Sequence, residues 1–141
     1  MRKRTQAREC ALQILYLHEM NPGPLDAIIS AFWEEHPNLT EEVRGFAEIL
    51  VRSTLEHLTD LDASIMKAVE NWEINRMAVI DRSILRFSAY ELLYMPDIPP
   101  KVTINEAVNI AKKFSQEESG KFVNGVLDKI NHTEKTPPAA S

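Results

Sequence analysis

With 141 residues, 44% of them hydrophobic and 26% charged, the chain is long enough for one domain that buries its own core without staples. Its apolar runs are too short to span a bilayer, and its basic start lacks the apolar stretch and small-residue site of a secretory signal. The lone cysteine, Cys10, excludes an intramolecular disulfide and a multi-cysteine zinc site, and fits a reducing cytoplasm. The net charge of −5 is unevenly spread: residues 17–73 carry 12 acidic side chains against 3 basic ones, and the remainder is basic.

Seven helices are predicted, and no strand. The first, about residues 4–20, places Ala7, Ala11, Ile14, Leu15 and His18 on one stripe, with Cys10 as a small buried hydrophobe. Asn21-Pro-Gly-Pro ends it, because proline withholds a backbone N–H and clashes with the preceding turn. Pro24 then suits the first turn of a second helix bearing Leu25, Ile28, Ile29, Phe32 and Trp33, closed by His36-Pro37-Asn38. Thr40 caps a third helix, with Glu41 and Glu42 at the positive end of its dipole. That helix runs to about Leu58 on Val43, Phe46, Ala47, Leu50 and Val51.

Thr59 or Asp60 is expected to cap a fourth helix that buries Leu61, Ile65, Val69 and Trp72. A fifth runs from about Met77 to Tyr94, and Pro96, Pro99 and Pro100 form a stiff connector after it. Thr103-Ile-Asn-Glu106 and Ser115-Gln-Glu-Glu118 both read as capping boxes, opening the sixth and seventh helices. The seventh carries Phe122, Val123, Val126, Leu127 and Ile130 on its inner side. Residues 1–132 thus form a single domain, and residues 133–141 a disordered tail. The fold class is all-α, a compact helical bundle.

Catalysis finds little support. The four histidines are scattered, no G-x-G-x-x-G or G-x-x-x-x-G-K loop occurs, and acidic pairs such as Glu117–Glu118 are explained by capping. No cofactor or metal is expected. The cations are more informative. Arg2, Lys3, Arg4 and Arg8 lie in eight residues without an acid, with Arg4 and Arg8 one helical turn apart. Such a cluster is either a solvated terminus or a handle for RNA phosphates and bases. Arg82 and Arg86 form a second pair, beside Asp81 and after Arg76, explained equally by ion pairing within the fold. Lys101, Lys112, Lys113 and Lys121 form a third group. There Phe122 is either the first core residue of its helix or a ring for stacking bases. Gly125 permits close approach of another helix or of RNA.

Several ordered segments resemble the NusB family: Arg4–Tyr16, Asp81–Leu92, Pro100–Val108 with Ala111–Phe114, and Lys121-Phe-Val-Asn-Gly-Val-Leu-Asp128. The resemblance implies two packed helical subdomains and a non-enzymatic transcription antitermination factor. Such a factor binds the boxA element of nascent RNA, notably from ribosomal RNA operons. It does so as a heterodimer with NusE, a small-subunit ribosomal protein, and helps assemble the antitermination complex on RNA polymerase. By position, the resemblance assigns RNA contact to Arg2, Lys3, Arg4 and Arg8, and to Glu118, Lys121, Phe122 and Asn124. Arg86 and Lys101 join that set as nearby cations. The NusE side is assigned to His18, Arg76, Asp81 and Arg82, although His18 replaces a familiar aromatic and Asn75 a familiar charge. The alternative is a helical scaffold or homodimer that binds protein without touching RNA.

Overall fold

The computed structural model describes residues 2–69 and 77–134. Its elements are α1 (Lys3–Met20), α2 (Leu25–Glu35), α3 (Glu41–Glu56), α4 (Leu58–Ala68), α5 (Val79–Tyr94), α6 (Pro100–Phe114) and α7 (Glu117–Thr133). No strand occurs among the described residues. Trp72, Asn75, Arg76 and residues 135–141 lie outside them; of the tail expected from residue 133, Thr133 instead ends α7 and Glu134 is its C-cap.

The helices form two packed subdomains. α1 lies against α2 and α3, while α6 and α7 make a hairpin that packs on α5, with α4 against α5 and α7. α5 joins the halves by also touching α1 and α3. Its inner residues Ile84, Leu85, Phe87 and Leu92 are essentially out of solvent, as are Leu12 and Ile14 of α1 and Leu127 and Ile130 of α7. These inner faces merge into one buried cluster, to which Leu12 and Phe87 add residues not expected from the stripes.

Helix starts depart from expectation at three places. Pro100 opens α6 at its first position, where a missing N–H costs nothing, so the expected capping box at Thr103–Glu106 lies inside the helix. Both of its side chains serve tertiary contacts instead. α7 begins at Glu117, and the Ser115 hydroxyl meets that of Ser119 at 2.9 Å rather than capping. α4 follows α3 after the single residue His57, whose ring bonds back to the Ser53 carbonyl at 2.9 Å, so neither Thr59 nor Asp60 is a cap. Thr40 does cap α3, accepting from the Val43 N–H at 3.3 Å.

Candidate nucleic-acid interface

The N-terminal arm projects from the start of α1, whose first turn contains no acid. Arg2, Lys3 and Arg4 are all exposed. Arg4 lays its guanidinium 4.0 Å from the centre of the Phe46 ring, a cation–π contact that orients the side chain while leaving its outer edge to solvent. Lys3 meets Glu42 at 3.3 Å, but both are exposed, so the pair holds weakly. Across from the arm, the α5–α6 connector and the first turn of α6 contribute Asp97, Ile98, Pro99 and Val102 to a cleft of about 590 Å³.

Arg8 does not join the arm at the surface, which corrects its assignment as an exposed cation. Its side chain is 3% exposed, and the guanidinium grips Glu91 through two hydrogen bonds and Glu106 through a third at 3.1 Å. Burial opposes its charge, yet hydrogen bonding and attraction from Glu91 and Glu106 prevail and raise its pKa above the ordinary value. Thr103 completes the cluster by donating to Glu91 at 2.8 Å, and Thr5 by donating to Glu106 at 2.6 Å. The first two turns of α1 are thereby tied to α5 and α6, and the arm is held at a set angle over the cleft.

The same first turn of α6 forms one wall of a second groove. Lys101 and Asn124 line it together with Asn105, Asp128 and Asn131, in a space of about 270 Å³. Nearer the start of α7, Glu118 and Lys121 are exposed, and Phe122 is half-buried against the core. Phe122 thus packs against the core without being fully covered. Asn105 and Asn131 were missed in the sequence. The signal was their placement, Asn131 lying two helical turns after Asn124 on the same face of α7.

Arg86 belongs elsewhere, a second correction. It binds Asp62 at 2.7 and 2.8 Å and Glu19 at 3.2 Å, and its side chain is 15% exposed. Glu19 also takes Arg82, which in addition donates to the Met77 carbonyl at 3.0 Å. Burial and the neighbouring Arg86 lower the Arg82 pKa. Asp81 accepts from Ser119 at 3.1 Å, and its other oxygen finds no partner among the described residues. His18 is half-buried and lines a cavity of about 300 Å³ with Glu19 and Arg86. Arg76 is outside the described residues.

On the neighbouring face of α1, Tyr16, Leu17 and Met20 are 39, 40 and 46% exposed, although large and apolar. Tyr16 and Leu17 border a groove of about 540 Å³ whose walls include Phe32, Ile80 and Phe114. These residues were also missed, although Leu17 and Met20 stand off the buried stripe of α1. An apolar residue off the stripe is the sequence signal for such a surface.

Among the described residues no group of histidine, cysteine and acidic side chains could hold a metal, and no helix is long and apolar enough to cross a membrane.

The sequence profile of the NusB family matches residues 5–132. The transcription antitermination protein NusB of Thermodesulfovibrio yellowstonii is 47% identical, over 91% of each chain. Among solved structures, NusB of T. maritima superposes with a TM-score of 0.84 at 37% identity, covering 92% of this chain and 91% of that one. A chain in a crystal structure of the antitermination factors NusB and NusE with double-stranded RNA superposes with a TM-score of 0.85 at 29% identity, covering 94 and 98%.

Proposed function

The chain belongs to the NusB family of transcription antitermination factors, and from that premise we propose that it binds boxA RNA of nascent transcripts as a heterodimer with NusE. In this role it helps load the antitermination complex onto RNA polymerase, with ribosomal RNA operons the main beneficiaries. The observation that carries the reading is the shared first turn of α6. It walls the arm cleft through Pro99 and Val102, and the amide groove through Pro100 and Lys101. A single RNA strand laid across that turn meets Arg2, Lys3 and Arg4 on one side and Lys101 and Asn124 on the other. Lys121 lies about one turn before Asn124 on α7, with Phe122 next to it in sequence. Cations there neutralise phosphates, amides reach base edges, and the half-buried ring offers a stacking edge. Arg8 acts here as a positioning residue for the arm, through Glu91 and Glu106.

NusE binding is assigned to the side of α1 that bears Tyr16, Leu17 and Met20, next to His18 and the Glu19–Arg82–Arg86 cluster. Exposed apolar surface rimmed by ion pairs has the make-up of a protein interface. That patch equally suits the alternative, a scaffold or homodimer without RNA contact. One titration separates the two. The chain is titrated into boxA RNA and a scrambled control, with and without NusE, at several salt concentrations. Weak binding alone and tighter, sequence-selective binding with NusE is expected. Indifference to both NusE and RNA sequence would leave the scaffold reading.

A further inference from the structure

Gly125 stands in the interior of α7, exposed, and a Cβ added to it would meet no atom within 4 Å. A glycine in a helix interior gives up stability relative to alanine, because it loses more backbone freedom on folding. Close helix packing would explain such a residue, and α7 does use a glycine that way. At Gly120 an added Cβ would meet the Lys112 stem of α6 at 3.0 Å. At Gly125 no element among the described residues comes near. The bare backbone faces outward.

Helix geometry says what that bareness leaves open. Gly125 follows Lys121 by four residues and Phe122 by three, so it occupies the same surface one turn further on. Helical side chains lean toward the N-terminus, so a side chain at 125 would lie over the turn carrying Lys121 and Phe122. Glycine keeps the approach to the ring and the ammonium clear. Asn124, exposed and adjacent, adds an amide.

We propose that Gly125 is a contact position for single-stranded RNA. A nucleotide held by Lys121 and Phe122 packs its sugar–phosphate directly on the helix backbone there. This rests on the RNA-binding reading above and names the position that sets how closely the strand sits on α7. Gly45 is a natural control. It too is an exposed glycine inside a helix with open space around it, but it stands on α3, away from Lys121 and Phe122, and lines neither groove of the RNA surface.

The test compares Gly125→Ala, Gly125→Leu and Gly45→Ala with the parent chain. It uses thermal melting, titration of fluorescent boxA RNA in the presence of NusE, and titration of NusE without RNA. Gly125→Ala is expected to melt higher than the parent yet bind RNA less tightly. Gly125→Leu is expected to lose about tenfold or more in RNA affinity, as over-filling a close contact does. Gly45→Ala is expected to melt higher and bind RNA unchanged, and NusE affinity without RNA is expected to stay level in all three. Parental RNA affinity in Gly125→Leu would overturn the contact. So would a loss that follows weakened NusE affinity, which would make the position part of a protein interface. A parent chain that binds no RNA with NusE present would overturn the functional reading itself, a result distinct from either.

Discussion

Arg8 and Glu91 face each other through two parallel hydrogen bonds, Nε to Oε2 at 2.7 Å and Nη2 to Oε1 at 2.9 Å, with both side chains shielded from water. The pair joins α1 to α5 inside the bundle, and Thr103 adds α6. Truncating one member leaves the other charge buried and unpaired. Arg8→Ala or Glu91→Ala is therefore expected to lower unfolding free energy by about 3–5 kcal/mol, read from urea unfolding curves. Replacing both with apolar residues of similar size, Arg8→Met with Glu91→Leu, should recover part of that loss, the remainder reflecting the partners that Thr103 and Glu106 then lack.

Arg4 has a different character although it sits one turn away. It is exposed and, among the described residues, rests on the Phe46 ring. Arg4→Ala should leave the melting temperature nearly unchanged and weaken RNA binding. It should also reduce the slope of log affinity against log salt by about 0.7, the share of one neutralised phosphate on a single strand. Salt titrations of the two proteins check this, and an unchanged slope would remove Arg4 from the RNA surface.

The patch on α1 predicts the converse pattern. Leu17→Glu places a charge among exposed apolar side chains, where folding is little affected. It is expected to weaken NusE binding by tenfold or more, on the order of the 2 kcal/mol typical of an interface hot spot. RNA binding by the isolated chain should be unaltered. Calorimetric titration with NusE supplies the measurement, and parental affinity would move the NusE surface elsewhere.

Cys10 supplies a pH dependence. Burial, with a smaller contribution from Glu9, pushes its thiol up to about 11. At pH 8 its thiolate fraction is then about a hundredth of that of a free cysteine, so alkylation of the folded chain should be slower by about that factor, and burial slows it further. A folded-state pKa above the unfolded one gives stabilisation that is present below about pH 9 and is lost as pH rises through about 11. Iodoacetamide labelling with and without denaturant, together with melting temperatures from pH 8 to 11, tests both statements. Rapid labelling of the native chain would contradict them.

Helices were legible in the sequence because stripes of Leu, Ile, Val and Ala at helical spacing have one common meaning, an inward face. Helix starts were less so. Thr103 and Glu106 fit a capping pattern, but the same two side chains meet Glu91 and Arg8, and only the packed bundle decides which use prevails. Arg8 misled for a related reason. Its partners lie 83 and 98 residues away, so local charge counting sees a basic run. One hint was present: Arg8 stands three residues before Ala11 and seven before Leu15, on the inward stripe. Arg2, Lys3, Arg4, Lys101, Lys121 and Asn124 are exposed as a surface reading requires. That Arg2, Lys3 and Arg4 share one cleft with the start of α6, and Lys101 and Asn124 a second, depends on how α5 sets the hairpin against α1, which no local pattern encodes.

Glu106 and Asp97 share the cleft with Arg2, Lys3 and Arg4. An incoming polyanion thus meets a mixed field, in which carboxylates offset part of the attraction of the arm. Under the proposed RNA-binding reading, such a surface would give stray nucleic acid less from phosphates alone than an all-basic one. Retention then falls to a strand that also matches the amides and the ring, or to one delivered by a second protein. An acidic chain with a partly neutralised grip is thereby suited to release what it samples, and to hold only where several weak recognitions coincide.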